Sequence, residues 1–556
     1  MYIDNLIIGA GPSSLQLAYY YKKHNIDYLI IEKESCCASF FLKYPHSKQL
    51  ISINKKYTGN TDKNFNLRHD WNSLINDEDF LFSNFSDDLY PSSNDLYLYL
   101  NEFAKKFELN IKFNMNVSKI SKKDDLYNIN IVDNNDNSDN NDNNDNNDNN
   151  ELNILCKNLI VATGLSKPII PEIEIITNII ENKDTKIIKH YADYPNGYFT
   201  DKENLKKYIN KKVLIIGGGN SGYELANLLQ SYCSNVIILG NKKSFAITTH
   251  YVGDIRSVYM PFLDTFYLKS LNGIDSHYKD NILKNFKIIQ NSLTDDPNYG
   301  NFKIINNGLN INSIYDTPDL EFFNEIIFCT GWGFNKSIFD FNINLTKNNK
   351  FPEINYKYES TNNKNLFFIG SLMHSKDFKK SSGGFIHGFR YLINLFTQIN
   401  YNIPFTKINF EFTGNFDCYN KLTQHIYNRI NYSDSLYQMH SVLCDLYYFD
   451  SSINEIVYIH DITIECIRSL NMSNNQYYNI LVLEYGESPT NINELGAFSK
   501  YNPSFLHPKI YCYKKELGVN KLLDRITFPE NIVSDFKHDD IYYKIKQTLK
   551  MCNLVV

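Results

Sequence analysis

The chain has 556 residues, of which 43% are hydrophobic and 15% aromatic, so we expect roughly three or four domains with buried cores. Its formal net charge of −6 argues against a nucleic-acid partner, because such partners normally require a basic surface. No apolar run reaches the ~18 residues of a membrane-spanning helix, so no membrane span is predicted. The N-terminal MYIDNLIIGA is typical of a buried strand rather than a signal peptide, and the C-terminal MCNLVV is no retrieval signal. Taken as written, the chain is expected in the cytoplasm.

The first predicted strand, Leu6 to Ile8, runs into a glycine-rich turn and a helix. Glycine permits the tight turn and lets the backbone approach a pyrophosphate at the helix N-terminus. The next strand, Tyr28 to Ile31, ends in an acid about 20 residues further on, the spacing expected for a group that holds a ribose diol. This order predicts a dinucleotide site rather than an ordinary turn. Its candidate residues are Gly9, Gly11, Pro12, Ser13, Ser14 and Glu32, with Ser14 in place of the usual third glycine.

The cysteines do not predict a metal site. Ten are present, without a CxxC pair or a metal-like spacing. Cys36 and Cys37 are neighbours, and a disulfide between neighbours is strained, so we expect two free thiols.

The run DNNDNSDNNDNNDNNDNN, residues 133–150, has no apolar side chain to bury. Such a segment cannot offset the entropy lost on ordering, so we expect a solvated loop. It separates two strand-like pieces, Tyr127 to Val132 and Leu152 to Val161, and is predicted to decorate the hairpin between them.

A second glycine-rich turn follows the predicted strand Val213 to Ile216, and its candidate residues are Gly217, Gly219, Asn220, Ser221 and Gly222. The next strand, Val236 to Leu239, carries no acid at its end and is followed by Lys242 and Lys243. Two lysines would attract a 2′-phosphate, which favours NADPH over NADH. A merely solvated loop remains an alternative reading of the two lysines.

Two dinucleotide folds in one chain predict a flavoprotein, with one unit holding FAD and the inserted unit delivering a hydride from a nicotinamide. Two apolar strands end in Thr-Gly, where the chain would cross between the units. A later glycine-rich helix start would present backbone N–H groups to the flavin. The further cofactor candidates are Thr163, Gly164, Thr330, Gly331, Gly370, Gly383 and Gly384.

The predicted fold class is α/β, with two Rossmann-like domains of the two-dinucleotide-binding flavoprotein type and a C-terminal α+β extension. The first FAD-binding part is predicted at 1–168, the inserted NAD(P)H domain at 205–331, the second FAD-binding part at 332–403 and the extension, of unknown role, at 404–556.

These motifs resemble the flavin-containing monooxygenase-like branch of this flavoprotein class: GAGPSS, ATG, GGGNSG and CTGW. Longer strings resemble an endoplasmic-reticulum branch associated with the degradation of misfolded proteins: LISINKKYTG, FNLRHDWNSL, THYVGDIRS, LDTFYLKSLNG, GGFIHGFRY, LYQM, EYG and FLHPKIY. That resemblance implies location in the endoplasmic-reticulum lumen, misfolded-protein clients and a thioredoxin-like reductase as partner. The monooxygenase fingerprint is only half present, as His190 and Tyr194 without the preceding Phe-x-Gly, and His190 is interpreted as a linker residue.

The segment Leu50 to Leu74 is expected to fold over the flavin ring. By resemblance Asn54 lies beside the reactive flavin carbon, and we expect Arg68 to stabilise negative charge on a reduced flavin. Trp71 and Tyr57 would shield the ring from water. The alternative is structural, with Asp70 or Asn72 capping a helix and Trp71 anchoring a small core.

Three functions follow as hypotheses. The first is an oxidoreductase that reduces bound FAD with NADPH and passes electrons to oxygen or a protein disulfide. The second is a flavin monooxygenase that acts on a nucleophilic nitrogen or sulfur. The third is a non-catalytic, FAD-containing factor that binds clients or partners in protein quality control.

Overall fold

The computed structural model describes residues 1–133, 151–170, 188–240, 324–411, 416–470, 472–486, 505–516, 519–528 and 539–551, with four short strands between residues 283 and 322. The strands are β1 (Tyr2–Ile8), β2 (Leu29–Ile31), β3 (Ile111–Lys112), β4 (Met115–Lys123), β5 (Leu126–Asp133), β6 (Glu151–Val161), β7 (Lys167–Pro168), β8 (Ile188–His190), β9 (Lys212–Ile216), β10 (Asn235–Gly240), β11 (Leu283–Asn285), β12 (Phe302–Ile305), β13 (Gly308–Ile311), β14 (Leu320–Phe322), β15 (Glu325–Phe328), β16 (Trp332–Gly333), β17 (Leu366–Phe368), β18 (Lys407–Glu411), β19 (Leu443–Asp450), β20 (Glu455–Thr463), β21 (Tyr477–Tyr485), β22 (Leu506–Glu516) and β23 (Val519–Thr527).

The helices are α1 (Pro12–Lys23), α2 (Phe40–Lys43), α3 (Lys63–Arg68), α4 (Ser93–Lys106), α5 (Lys202–Lys206), α6 (Asn220–Leu229), α7 (Ile386–Asn400), α8 (Phe416–Tyr432), α9 (Asp434–Gln438), α10 (Ile464–Ser469) and α11 (Asp539–Met551). Among the described helices, none is long and apolar enough to cross a bilayer.

The first sheet has the strand order β3-β2-β1-β6-β5-β4. Strand β1 pairs in parallel with β2 and β6, and its apolar residues are buried because parallel strands are covered on both faces. The first half of β6 pairs antiparallel with β5, whereas its second half pairs in parallel with β17. The predicted hairpin between β5 and β6 is therefore confirmed, and most of the Asn/Asp run between them, residues 134–150, lies outside the described residues.

A second sheet has the order β11-β10-β9-β15-β8, and all of its strands are parallel. It has its own cluster of buried side chains, to which α6 and the chain around Tyr191 contribute. The predicted crossings at the two Thr-Gly pairs form a short antiparallel ribbon of β7 and β16. A mixed first sheet with a parallel core and a fully parallel second sheet, joined in this way, confirm the predicted pair of dinucleotide-binding units.

The C-terminal extension forms an antiparallel sheet with the order β18-β20-β19-β21-β22-β23. Helices α8, α9 and α10 accompany the sheet, so the predicted α+β character is confirmed. Its buried residues, such as Leu436 and Met439, belong to the same core cluster as Leu6 and Ile7 of β1. The extension is thus packed into the core of the first unit rather than attached to it by a linker.

Candidate functional site

A cavity of about 620 Å³ lies between the first sheet, the start of α6 and the start of α7. Both glycine-rich turns contribute to its wall. Of the residues predicted to bind cofactors, it is lined by Gly11, Pro12, Ser13, Thr163, Gly164, Asn220, Ser221, Gly331 and Gly384. Because residues from both turns share one wall, ligands held at the two turns would meet inside this cavity.

The first turn has open space beside Gly11, on the side from which a phosphate would approach. Gly11 precedes α1 and receives no side-chain cap, and a Cβ built on it meets nothing within 4 Å. Pro12 then starts the helix without needing an N–H partner. The uncapped N–H groups of the first turn carry partial positive charge, which suits a diphosphate.

Glu32 lies behind this turn, at the end of β2. Its carboxylate accepts the Ala10 N–H at 2.6 Å and the Glu34 N–H at 3.0 Å. Burial raises the pKa of Glu32, and the two N–H donors oppose that shift. Each carboxylate oxygen has a second acceptor position, so the predicted contact to a ribose diol stays compatible with this placement.

The second turn is closely packed, because its glycines lie where a Cβ would collide with neighbouring backbone atoms. Gly217 has a φ of +122°, and a Cβ there would lie 2.3 Å from the Cys329 carbonyl oxygen at the end of β15. A Cβ on Gly222 would lie 2.2 Å from the Gly217 carbonyl oxygen. In the first turn the equivalent third position is Ser14, whose hydroxyl donates to the Gly9 carbonyl oxygen. A hydrogen bond replaces the close approach that glycine permits in the second turn.

The remaining predicted cofactor residues surround the cavity without all reaching it. Gly219 precedes α6 with open space at its Cβ position, and the Thr330 hydroxyl donates to the Ile169 carbonyl in the crossing ribbon. Gly370 follows β17, where a Cβ would meet the Ser13 hydroxyl at 2.4 Å. Lys242 and Lys243 lie outside the described residues, so the predicted preference for NADPH stays a prediction.

The glycine-rich start of α7 is held by a buried pair of hydrogen-bonded side chains, a histidine and an aspartate. His374 Nδ1 lies 3.0 Å from Asp377 Oδ1, and Asp377 Oδ2 accepts the Gly383 N–H at 2.7 Å. Asp377 therefore fixes the turn from which Gly384 and His387 reach the cavity.

Trp71 and His387 form one wall of the cavity, which we call the aromatic wall. Their rings stack with centroids 4.3 Å apart and an interplanar angle of 23°. Asn72 lies beside Trp71 in the cavity lining, and its side-chain oxygen accepts the Ser52 hydroxyl at 2.6 Å. The predicted contact of Trp71 with the site is thus supported, whereas Tyr57 is 72% exposed and shields nothing.

The structure does not bring Arg68 or Asn54 to the cavity, and this corrects their predicted placement. Arg68 is buried and donates to the Ser433 and Ile430 carbonyl oxygens of the C-terminal extension, both at 2.8 Å. Asn54 is buried and donates to the Ser86 carbonyl oxygen at 2.9 Å. Both side chains are used to hold backbone segments together.

The alternative reading, in which Asp70 or Asn72 caps a helix, is wrong, because Asp70 closes a turn instead. Asp70 Oδ1 accepts the N–H groups of Asn72 and Ser73 at 3.0 and 2.9 Å. No helix follows, and the chain continues as an irregular segment. Asp70 fixes the turn that carries Trp71 to the cavity.

Glu224 joins the two units, a role that was not predicted. Glu224 Oε1 accepts the Ser47 N–H of the first unit at 2.7 Å and the Tyr191 hydroxyl of the connecting segment at 2.8 Å. The residue lines the cavity, and burial raises its pKa. The sequence placed it directly after the second glycine motif, but its two partners are remote in sequence.

Other cavity residues also lacked a sequence signal: Tyr44, Tyr191, Trp332, Lys350 and His387. They come from a short strand, connecting segments and the first turn of α7, and only the three-dimensional fold brings them together. His190 behaves as the predicted linker residue, with its Nδ1 accepting the Ala192 N–H at 3.0 Å. Tyr194 donates from its hydroxyl to Glu325.

No cysteine appears among the described residues of the cavity wall. Cys36 and Cys37 are free thiols, as predicted. Cys37 is buried, and burial raises its pKa to about 12. A thiol with so high a pKa carries little thiolate near neutral pH and is a poor nucleophile.

The residues present fit FAD. An uncapped helix start, an open Gly11 and a buried acid at the end of β2 lie at one side of the cavity. The Trp71, His387 and Phe385 rings supply an apolar wall for a planar ring system, with Phe385 and His387 at 5.8 Å between centroids and 18° between planes. Such a combination of anion-binding backbone and flat apolar surface matches the two ends of a flavin dinucleotide.

The chain belongs to the pyridine nucleotide-disulphide oxidoreductase family, whose family model matches residues 6–370. The predicted class, an FAD-dependent oxidoreductase related to flavin monooxygenases, is confirmed. The chain is 30% identical over 548 residues to FAD-dependent oxidoreductase domain-containing protein 2 of Mus musculus, covering 92% of this chain and 76% of the mouse protein. The protein of the same name from Danio rerio is 31% identical over 556 residues, covering 91% and 75%. The probable indole-3-pyruvate monooxygenase YUCCA8 of Arabidopsis thaliana is 25% identical over 224 residues, covering 40% of this chain and 43% of the plant protein.

Proposed function

We propose that this protein oxidises NADPH by way of bound FAD and passes the electrons to oxygen or to a protein disulfide. One observation carries the proposal: residues of both glycine-rich turns, Gly11 to Ser13 and Asn220 to Ser221, line one cavity. FAD supplies the electron-transfer chemistry when it is bound. The protein contributes binding, orientation and a shielded site.

On the FAD side, the first turn of α1 would hold the diphosphate, and Glu32 would accept hydrogen bonds from the ribose diol. The aromatic wall would pack on the planar ring, and the start of α7 near Gly384 would offer it backbone N–H groups. Thr163 and Gly164 close the cavity where β6 ends.

On the nicotinamide side, α6 supplies an uncapped helix start for the second diphosphate. Glu224 holds the second unit against the Ser47 loop, so that the two sites stay in register across the cavity. The preference for the 2′-phosphorylated nucleotide rests on the sequence after β10, where lysines follow and no acid is present.

The residues of the cavity wall bear on whether oxygen or a protein disulfide accepts the electrons. No described wall residue is a cysteine, so the described part of the cavity wall offers no thiol that could relay electrons to a disulfide. With oxygen as acceptor, one NADPH, one proton and one O₂ give NADP⁺ and hydrogen peroxide. A protein disulfide would instead have to reach the cavity itself and leave as two thiols.

The acceptor is tested by following NADPH oxidation together with oxygen uptake, hydrogen peroxide and thiol release from a disulfide-bonded protein. We expect peroxide equal to the NADPH consumed, and no loss of rate in the Cys36→Ser/Cys37→Ser variant. A rate that depends on the added disulfide and falls at least about ten-fold in that variant would assign a thiol relay to these cysteines. NADPH consumption with neither product, or none at all, would contradict the proposal.

A monooxygenase acting on nitrogen or sulfur nucleophiles is the second candidate. The match to an indole-3-pyruvate monooxygenase and the largely apolar cavity support it. Isotopic oxygen gas distinguishes the two candidates, because a monooxygenase places one oxygen atom in an organic product. Two results together would count against this candidate: hydrogen peroxide equal to the NADPH consumed, and no oxygen isotope in any product from a panel of amines and thioethers.

We also propose location in the endoplasmic-reticulum lumen and a role with misfolded-protein clients and a thioredoxin-like reductase. The resemblance of strings such as LISINKKYTG and GGFIHGFRY to the endoplasmic-reticulum branch supports this proposal. Protease protection of the full-length protein in intact microsomes tests it. Complete digestion without detergent would contradict the proposed location.

A further inference from the structure

The segment 430–439, at the junction of α8 and α9 in the C-terminal extension, touches both chain segments that carry the aromatic wall. Its sequence is not part of either glycine-rich turn, and the proposed function does not use it. Its contacts to Arg68 and to the α7 start connect the extension directly to the cavity.

The first contact converges on one carbonyl group. The Arg68 carbonyl oxygen accepts the Trp71 indole N–H at 3.1 Å and also the Gln438 side-chain amide N–H. A carbonyl oxygen has two acceptor positions, so both donors are satisfied together. Gln438 is 3% exposed, and its amide therefore has no ready exchange with water.

The Arg68 side chain also donates hydrogen bonds to segment 430–439. Its guanidinium donates to the Ser433 and Ile430 carbonyl oxygens, both at 2.8 Å, and lies 5.1 Å from the centroid of the Tyr437 ring. One residue thus accepts from the segment with its backbone and donates to it with its side chain. Because buried polar groups lose stability when left unpaired, the arrangement resists displacement of either side.

The second contact reaches the other half of the aromatic wall. A Cβ on Gly388, next to His387, would lie 2.8 Å from Met439 Sδ, so the segment packs closely on the start of α7. From α7 the buried Arg390 donates to the Asp70 and Ser73 carbonyl oxygens at 2.9 and 2.8 Å. The turn that carries Trp71 is therefore held from both the extension and α7.

We propose that Gln438 is a positioning residue that sets the place of Trp71 in the aromatic wall. It acts through the shared Arg68 carbonyl, and the C-terminal extension is thereby a working part of the cavity. The statement about the position of Trp71 is argued from these contacts, whereas the statement about its effect on bound FAD also rests on the proposed function. The two statements are tested by separate measurements.

The position is tested on the apoprotein. The chain has two tryptophans, so Trp332→Phe leaves Trp71 as the only source of tryptophan emission. In that background Gln438→Met keeps the length of the side chain but removes the donor. We expect a red-shifted Trp71 emission and about a two-fold larger acrylamide quenching constant, since losing a buried hydrogen bond loosens a local equilibrium by at least that factor.

The matched control is Gln476→Met in the same background. Gln476 also lies in the extension and donates to a backbone carbonyl, that of Phe449 at 2.8 Å. Emission and quenching should stay as in the parent. Equal changes in both variants would show general loosening and overturn the proposal, as would no change in Gln438→Met.

Gln438→Glu is the second variant, in case the methionine variant does not fold. It keeps the size of the side chain, but its carboxylate faces the Arg68 carbonyl without a proton to donate. A parent-like Trp71 signal in this variant would also overturn the proposal. In the FAD-loaded protein we expect a weaker FAD affinity, by about five-fold, and shifted flavin absorption in Gln438→Met but not Gln476→Met. Failure of the parent protein, as well as the variants, to bind FAD would contradict the proposed function and leave the apoprotein result standing.

Discussion

At the scale of single residues, the glycines of the two turns perform different tasks. Gly217 is required by its backbone conformation and by the nearby Cys329 carbonyl, whereas Gly11 and Gly219 face open space. The open positions are the ones from which a phosphate can be approached. Stability and ligand binding are therefore separable by substitution within a single motif.

Gly217→Ala and Gly219→Ala should separate them. We expect Gly217→Ala to lower the free energy of unfolding by about 2 to 4 kcal/mol, because a Cβ is both strained and in collision there. Gly219→Ala should change stability by less than about 1 kcal/mol but weaken NADPH binding at least ten-fold, because its methyl group occupies the phosphate approach. Denaturant unfolding and NADPH titration measure the two effects. Equal stability loss in both variants would contradict this separation.

Residue roles could be predicted from the sequence only where the partners are local. Gly9, Gly11 and Glu32 lie within one strand-turn-helix-strand unit, so their spacing in the sequence predicts where they lie in the fold. Arg68 was misplaced because its hydrogen-bond partners lie 362 and 365 residues away in the C-terminal extension. No pattern around Arg68 signals a contact at that separation.

At the scale of elements, the strands and helices of the two turns were predictable, because their apolar runs and glycines are continuous. The C-terminal sheet was predicted only as an α+β region. Its antiparallel strands are joined without a motif, and their register depends on pairing across the whole extension. Helix α8 packs against this sheet partly through titratable side chains, so the stability of the extension should depend on pH.

His425 of α8 and His460 of β20 face each other with their Nε2 atoms 2.9 Å apart. Burial lowers the pKa of His425 to about 4, with the charge of His460 as the second cause, and burial also lowers the pKa of His460. Arg429 lowers the pKa of the neighbouring Asp445 although burial opposes it, and Arg429 also pairs with Asp461.

These shifts determine the sign of the pH dependence. Between the ordinary histidine pKa of 6.5 and the folded value of about 4, the unfolded chain binds more protons than the folded one. Stability present above pH 6.5 should therefore fall as the pH drops toward 4, by on the order of 2 kcal/mol after allowance for partial exposure. Because the pKa of Asp445 is also lowered in the folded protein, protonation of Asp445 should reduce stability further at still lower pH.

Denaturant unfolding at a series of pH values measures this loss. His460→Gln keeps a donor and an acceptor beside His425 but removes one titrating ring, so the loss between pH 6.5 and 4 should be smaller. An equally steep loss in that variant would show that the histidine pair is not its source.

At the scale of the whole molecule, the cavity depends on how the two units are held together. Glu224 Oε1 accepts hydrogen bonds from both the Ser47 loop and Tyr191, and His46 contacts the same tyrosine through its Nε2 at 2.9 Å from the Tyr191 carbonyl oxygen. This contact determines which parts of the two turns share the wall. The overall arrangement of two units was predictable from the repeated motif, but the contacts between them were not.

Glu224→Leu should loosen the joint between the units. It leaves the Ser47 N–H and the Tyr191 hydroxyl without an acceptor, which we expect to cost about 2 to 4 kcal/mol of stability. Glu224→Gln keeps one carbonyl oxygen as acceptor and should cost less than half as much. Denaturant unfolding and limited proteolysis in the connecting segment check the order. A glutamine variant as unstable as the leucine variant would indicate that the negative charge, rather than the acceptor, is required.

The central claim is that a nicotinamide nucleotide at the second turn can reduce FAD held at the first. Anaerobic titration of the FAD-loaded protein with NADPH, followed by admission of oxygen, tests it most directly. The account predicts complete bleaching of the flavin absorption by one equivalent of NADPH and its return with oxygen. Stably bound FAD that excess NADPH leaves unbleached would contradict it.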